Sequence, residues 1–328
     1  MSNAVKRFLE LTAKANKIVI TTHIHPDADG IGSEIALCMA LKKLGKDVVC
    51  VNEEPLFERY KYLDPEDVVR SYDEVKDSIG KIDLFIVTDT NSLPRIGKNV
   101  QEFVMKSHEL LFIDHHPCPK ELSAIHCIDS KKAATGELVG ELITALGVKF
   151  DEAMALALYT SIIIDTSSFR YPTVTGNTHR VIADLLDSGV SPPQAYNMIN
   201  GTKKVPYMKL LGTVLTSAQT TDDESIAWIS LTEDQLDLYK SDAEDTHGFI
   251  NHLLILDNIK VACMFRQIGD KVKVSFRSAI SSVDVGIMAQ ALGGGGHNHS
   301  AATVIDGKLE NVIPHTIKKV QAMLSDDE

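Results

Sequence analysis

The chain has 328 residues, 44% of them hydrophobic and 24% charged, with a formal net charge of −12 at pH 7. That composition suits a globular protein large enough for two domains. The acidity argues against binding long duplex DNA, which needs a basic stripe, but a small anion held by metals and a few arginines remains open.

No apolar run is long enough to span a membrane, and the charged N-terminus lacks the apolar core of a secretory signal. Five scattered cysteines contain no CxxC pair, which points to a reducing compartment. A cytoplasmic protein without a membrane partner is expected.

Residues 1–16 have helical spacing, and 17–22 read as a buried strand. The turn at 22–33 carries His23, Asp27 and Asp29 beside Gly30 and Gly32. A helix follows at 31–44. Further strands read at 47–52, at 82–89 ending in Asp89, at 110–114 ending in Asp114-His115-His116, and at 124–128. Strands that alternate with helices and are apolar almost throughout predict an α/β fold, a parallel sheet with helices on both faces.

Helices are expected at 134–146, at 152–164 leading into Asp165, and at 178–186. Ser191-Pro192-Pro193 and the Gly-Lys patch at 201–204 mark a linker, and 206–219 has the spacing of a connecting helix. Beyond it come a strand at 227–231 and a hairpin of 261–266 with 271–277. Helices near 284–292 and 309–324 flank Gly293-Gly294-Gly295-Gly296-His297. The expected organisation is a catalytic, metal-binding domain at 1–190, a linker and connecting helix at 191–220, and a smaller α/β substrate domain at 221–328.

Three clusters lie at the C-terminal ends of predicted parallel strands and so share one sheet edge, where such folds bind ligands. They are His23/Asp27/Asp29, Asp89, and Asp114-His115-His116; Asp165, at the end of an apolar helix, can reach the same edge. A single Asp at a turn is ordinary, and Asp29 or Ser33 would serve to cap the next helix. Four coincident placements supplying only His and Asp ask for another cause. His23, Asp27, Asp29, Asp89, His115 and Asp165 are too many ligands for one ion. They suit two divalent ions about 3.5–4 Å apart with a bridging carboxylate, an arrangement that activates water and stabilises a departing oxygen in phosphoester hydrolysis. Oxygen-rich donors with imidazole fit Mn2+.

The glycine run lets backbone amides approach an anion, with His297 as a further donor; a flexible loop is the alternative. Arg266 and Arg277 end the hairpin strands and can clamp a phosphate or stack on a base, if they are not simply solvated. His25 reads as a loop side chain, His126 as structural, and His299 as exposed. Thr135 and Glu137 read as helix-capping residues.

In these motifs the sequence resembles the DHH family of phosphoesterases over nearly its whole length. The matching stretches are 23–33, Asp89 to Gly97, Asp114-His115-His116, Asp165-Thr166, and Gly293–His297 with Ala301-Ala302, the last resembling the associated DHHA1 domain. The resemblance implies one ion on His23, Asp27 and Asp89, and the other on Asp29, Asp89, His115 and Asp165. It implies that His116 faces the scissile phosphate as donor or acid while Asp114 orients its neighbours.

It further implies nucleotide binding by Gly294, Gly295, Gly296 and His297. Arg277 matches a family position, and Arg95 resembles an arginine of the oligonucleotide-cleaving branch. Ser167 and the Ala301-Ala302-Thr303 end of the glycine motif depart from positions where relatives place Gly. The two-domain form resembles the nanoRNase and 3′-phosphoadenosine 5′-phosphate phosphatase branch. The implied activity is hydrolysis of short RNA, or removal of the 3′-phosphate from that bisphosphate. A phosphodiesterase for cyclic or linear dinucleotides is the alternative within the class, and a non-catalytic nucleotide-binding module the alternative outside it. Relatives of this form commonly pair as homodimers.

Overall fold

Strands without polar alternation must be covered on both faces. The computed structural model, which describes residues 3–201, 203–280 and 282–326, places them in a layered α/β unit spanning Met1–Gly201. Met1 and Ser2 of the predicted first helix lie outside the described residues. The sheet contains β1 (Lys17–Thr21), β2 (Asp47–Asn52), β3 (Val69–Ser71), β4 (Ile82–Thr88), β5 (Ser107–Asp114) and β6 (Cys127–Ile128). Their order is β3-β2-β1-β4-β5-β6, and every neighbouring pair is parallel.

The helices of this unit are α1 (Asn3–Lys14), α2 (Ala28–Lys43), α3 (Tyr72–Val75), α4 (Gln101–Lys106), α5 (Lys120–Ser123), α6 (Thr135–Ala145), α7 (Glu152–Asp165), α8 (Gly176–Asp187) and α9 (Pro192–Asn200). Ile18, Ile20, Leu84, Ile86 and Ile113 pack on one sheet face with α2, α6 and α7. Val19, Phe85, Val87 and Phe112 pack on the other with Val100 and Phe103. The period of two in a strand sends alternate residues to the two cores.

Chain order reverses across β1 and β4, so their carboxyl ends form the switch point where this fold leaves a crevice. Local chemistry also moves some predicted boundaries. The helix expected from residue 31 begins at Ala28, because the Asp27 side chain accepts from the amides of Asp29 and Gly30. Asp27, and neither Asp29 nor Ser33, is therefore the cap. The strand expected at 124–128 shortens to Cys127–Ile128, since α5 and the turn after it use the preceding residues. The three-residue β3 is an addition at the sheet edge, too short for periodicity to signal.

The second unit, Thr202–Glu328, begins with α10 (Val205–Leu215). The stretch read as a linker with a connecting helix thus holds α10 near the expected helix and, in addition, α9. There follow β7 (Gln219–Thr220), β8 (Ile226–Leu231), α11 (Glu233–Tyr239), β9 (Val261–Ile268), β10 (Lys271–Ser278), α12 (Val285–Gln290), β11 (Gly295–Gly296), β12 (Ser300–Asp306) and α13 (Leu309–Asp326). Sheet order is β11-β12-β10-β9-β8-β7, mixed because β8 and β9 pair in parallel. Val272, Val274 and Phe276 face one core with Val312 and Val320; Ala262 and Met264 face the other with Leu210 and Phe249. No helix among the described residues is long and apolar enough to cross a membrane.

One glycine sets the approach of α2 to α7. A Cβ at Gly32 would stand 2.3 Å from the Ala157 carbonyl oxygen, whereas one at Gly140 would meet nothing closer than Val181 Cγ1 at 3.4 Å. Gly32→Ala is expected to lower stability by about 1–3 kcal/mol through overpacking. Gly140→Ala is expected to be neutral or to raise stability by up to about 1 kcal/mol through helix propensity. Urea unfolding of both variants checks the opposite signs.

Candidate active site

The site begins with two threonines that lock the switch point. Thr22 Oγ1 donates to the Thr88 carbonyl and Thr88 Oγ1 to the Thr21 carbonyl, both at 3.1 Å. They set the ends of β1 and β4 side by side, so His23 and Asp89 emerge together. His23 Nδ1 lies 2.9 Å from the Ile24 carbonyl, which accepts its proton and turns Nε2 toward Asp89 Oδ2, 3.4 Å away. Asp89 sits in the left-handed region at φ 60°, a costly conformation that a short polar side chain tolerates. Its amide donates to Ile113 at 2.9 Å, and its Oδ1 accepts from Thr135 Oγ1 at 2.9 Å.

His115 repeats the arrangement of His23. Its Nδ1 is 3.3 Å from the Lys132 carbonyl, and its Nε2 faces Asp165 Oδ2 at 3.3 Å, Asp29 Oδ2 at 3.7 Å and Asp89 Oδ1 at 3.9 Å. The two oxygens of Asp89 therefore look toward different imidazoles. Asp29 is held from four sides, by the amides of Thr135 (2.8 Å) and Gly136 (2.9 Å) and by the hydroxyls of Ser33 and Ser161. It thereby meets the unsatisfied amides at the start of α6 from 106 residues away in sequence. Asp114 is fully buried; its Oδ1 accepts from His116 Nδ1 at 2.7 Å and its Oδ2 from Asn91 Nδ2 at 2.7 Å.

Carboxylates this close raise one another's affinity for protons. Burial, then the charges of Asp29 and Asp27, push the Asp89 carboxyl well above its usual range. Burial opposes charge on Asp114 too, yet the hydrogen bonds and charge of His116 hold it below its usual value. For His115, burial disfavours the imidazolium, but Asp165, Asp29 and Asp89 outweigh it and raise the group to about 9.

Three donor sets lie among the described residues of this unit, one of them Asp89, Asp114 and His116; the other two share no residue. His23, Asp27 and Asp89 form one and Asp29, His115 and Asp165 the other, with the ligand atoms in each within 4.8 Å of one another. Imidazole nitrogen with carboxylate oxygen, in a buried site of excess negative charge, fits a divalent cation of intermediate hardness. The hydrogen bonds from Nδ1 to carbonyls are those that orient a ligating histidine.

Two residues read from sequence as caps have larger roles. Thr135 bonds both Asp89 and Asp29. Buried Glu137 accepts from the Ala133 amide (3.1 Å), Thr178 Oγ1 (3.0 Å) and Asn177 Nδ2 (2.9 Å), with Lys132 Nζ at 3.5 Å. It fixes the loop whose Lys132 carbonyl meets His115. The available signal was an acid set among Ala133, Ala134, Leu138 and Val139, a charge within an otherwise apolar helix face.

Other candidates fall as follows. Arg95 is exposed, and its carbonyl accepts from the Ile24 amide at 2.7 Å. His25 is exposed and 3.3 Å from Glu54. His126 is structural, accepting from the Phe112 amide at 3.3 Å. Ser167, with Ser168 and Phe169, forms a left-handed turn after Asp165, a conformation that favours the Gly of relatives.

In the second unit the glycine run is an ordered hairpin edge: Gly295 and Gly296 pair with Ala302 and Ala301. The amides of Gly293, Gly294 and His297 donate to the carbonyls of Gln290, Ala289 and Ser300. A Cβ at Gly294 would lie 2.1 Å from the Ala302 oxygen, so glycine here serves close strand approach. His299, expected to be exposed, is only 8% exposed and stacks with His297 at a centroid distance of 5.6 Å. Arg266 is likewise 8% exposed and donates to the Ala243 carbonyl at 2.7 Å; Arg277 donates to Phe276 at 2.9 Å. Arg266 pairs with Lys273, four residues before Arg277, so the two arginines lie apart along the hairpin.

Comparison with known proteins gives the class. Residues 17–162 match the DHH family, N-terminal domain, and residues 237–326 match the DHHA1 domain. The chain is 30% identical over 320 residues to the bifunctional oligoribonuclease and PAP phosphatase NrnA of Thermus thermophilus, covering 96% of this chain and 92% of that protein. It is 24% identical over 285 residues to the Bacillus subtilis protein of the same name, covering 85% and 86%. An exopolyphosphatase-related protein from Bacteroides fragilis superposes with a TM-score of 0.85 at 26% identity, over 98% of this chain and 96% of that one. RecJ of Thermus thermophilus in complex with Mn2+ shares the fold at a TM-score of 0.53 and 15% identity, over 98% of this chain and 54% of that one.

The protein is thus a metal-dependent hydrolase acting on phosphoester bonds. The chain belongs to the DHH family, with its DHHA1 domain, and resembles the NrnA branch.

Glu137→Ala strands several buried donors at once. It is expected to cost about 3 kcal/mol in urea unfolding, with Glu137→Gln retaining part of that stability. Wild-type stability in the alanine variant would show that the network carries no load.

Proposed function

We propose that this enzyme hydrolyses short oligoribonucleotides of about two to five nucleotides to mononucleotides, and removes the 3′-phosphate of 3′-phosphoadenosine 5′-phosphate, using two divalent ions, Mn2+ in the first instance. The observation that carries this is Asp89, whose Oδ2 faces His23 and whose Oδ1 faces His115. His23, Asp27 and Asp89 would hold one ion, and Asp29, Asp89, His115 and Asp165 the other. When bound, such ions supply a water of lowered pKa and offset charge on the leaving oxygen.

The chain's own groups do the rest. Asp114 accepts from His116 Nδ1 and so directs the Nε2 edge of that ring to the scissile phosphate as donor or acid. Asn91 keeps Asp114 in place. The carboxylates fix the charge of the site before substrate arrives. Arg95 and Arg277 act on substrate phosphates. His297, on its ordered hairpin with Gly294, Gly295 and Gly296, contacts the nucleotide. Arg266, tied to Ala243 farther along the hairpin, supports substrate binding from there. The choice of a nucleotide substrate is supported by the NrnA relatives, whose names specify an oligoribonuclease and PAP phosphatase.

A substrate panel with Mn2+ tests the substrate choice. Dinucleotides, short RNA and the bisphosphate are expected to be cleaved well. Long single strands and pyrophosphate are expected to be cleaved poorly; cleavage of long strands as readily as dinucleotides overturns it, and preference for cyclic dinucleotides moves the assignment within the class. Metal analysis of protein dialysed against Mn2+ is expected to give two ions per chain, with a melting temperature above that in chelator. Asp89→Ala and His115→Ala should abolish hydrolysis and lower metal content; full activity in both rules out the two-ion site. His297→Ala should raise KM with metal content unchanged.

A further inference from the structure

Strand order sets the carboxyl end of β2 beside that of β1, so residues 53–63 border the loop bearing His23 and Asp27. Three contacts bind these loops together. Glu54 lies 3.3 Å from His25, the Glu53 carboxylate accepts from the amides of Asn99 and Val100 at 3.0 Å, and the Ile24 amide reaches the Arg95 carbonyl. A 3-10 turn, Glu58–Leu63, follows, anchored by buried Leu63 and by Leu56, Tyr60 and Tyr62 against the core.

On this anchored turn Arg59 is exposed. Its guanidinium carbon stands 5.1 Å from the Phe57 ring centroid and 4.9 Å from that of Tyr60. No carboxylate among the described residues lies within ion-pair distance of it. Burial raises the Tyr60 hydroxyl, and the charge of Arg59 opposes it. Aromatic contacts limit the rotamers of a guanidinium, whose N–H groups can take a phosphate in bidentate fashion. An anion nearing a floor of aspartates needs such a cation at the rim.

We infer that Arg59, braced by Phe57 and Tyr60, binds a phosphate of the substrate other than the one that is cleaved. This rests on the nucleotide substrate proposed above. In the bisphosphate, and in a dinucleotide that carries a 5′-phosphate, the second phosphate is the 5′-terminal one, so Arg59 selects 5′-phosphorylated molecules.

The test compares a diribonucleotide carrying a 5′-phosphate with the same diribonucleotide lacking it, using Mn2+-loaded wild type, Arg59→Ala and Arg59→Lys. Arg59→Ala is expected to raise KM about tenfold for the phosphorylated substrate and less than about twofold for the other, with kcat kept and melting temperature unchanged. Arg59→Lys should recover part of the loss, because lysine supplies the charge without the planar fork. Equal effects on the two substrates, as a base contact would give, or no effect on either, overturn the assignment while leaving the function standing. If wild type cleaves neither substrate, the functional proposal fails. Calorimetric binding of the phosphorylated dinucleotide to wild type and Arg59→Ala then decides the role of Arg59 separately, equal affinity overturning it.

Discussion

Repulsion among Asp27, Asp29, Asp89, Asp114 and Asp165 is the constraint on which the catalytic unit is built. For the buried members, Asp29, Asp89 and Asp114, such charges are costly unless each finds hydrogen bonds or positive charge. The fold meets that demand in three ways. Backbone amides at the starts of α2 and α6 donate to Asp27 and Asp29. Imidazoles lie beside Asp89, Asp114 and Asp165. What is left over is the negative potential that suits a site for divalent cations.

This distribution separates the two kinds of aspartate. Asp114 has its oxygens taken by His116 and Asn91 and acts through its neighbour. Asp89 has one oxygen toward His23 and one toward His115, with Thr135 steadying it and an uncommon backbone conformation aiming it. The supporting layer is distant in sequence. Ser33, Ser161, Thr135 and Glu137 come from α2, α7 and α6, and these helices meet because Gly32 permits the close approach of α2 to α7.

Much of this was legible without coordinates. Apolar runs without alternation indicated a doubly covered parallel sheet, and His and Asp at their ends indicated a shared edge. In such a sheet the position of a residue relative to its strand end fixes where it emerges, so the ligand candidates could be named by position alone. Harder to read were features that depend on partners far along the chain. Glu137 resembled a cap because its partners Asn177 and Thr178 lie 40 and 41 residues away. His299 resembled a surface residue because nothing local signals its stacking on His297. The glycine run suggested an anion cradle, whereas its packing against Ala301 and Ala302 uses several of its amides. The left-handed turn at 167–169 showed only as a serine where relatives place glycine.

The amino-acid sequence by itself determined the layered α/β architecture, the set of His and Asp side chains and the class of chemistry they serve. Strand periodicity and residue type are local properties, and they suffice for that. Tertiary structure alone decided which oxygen faces which imidazole, which aspartate is shielded, and which groups hold the catalytic loops. It also set Arg59 on a braced turn beside the site. Those outcomes follow from the order of strands in the sheet and from helix contacts between residues a hundred positions apart, and no local pattern encodes either.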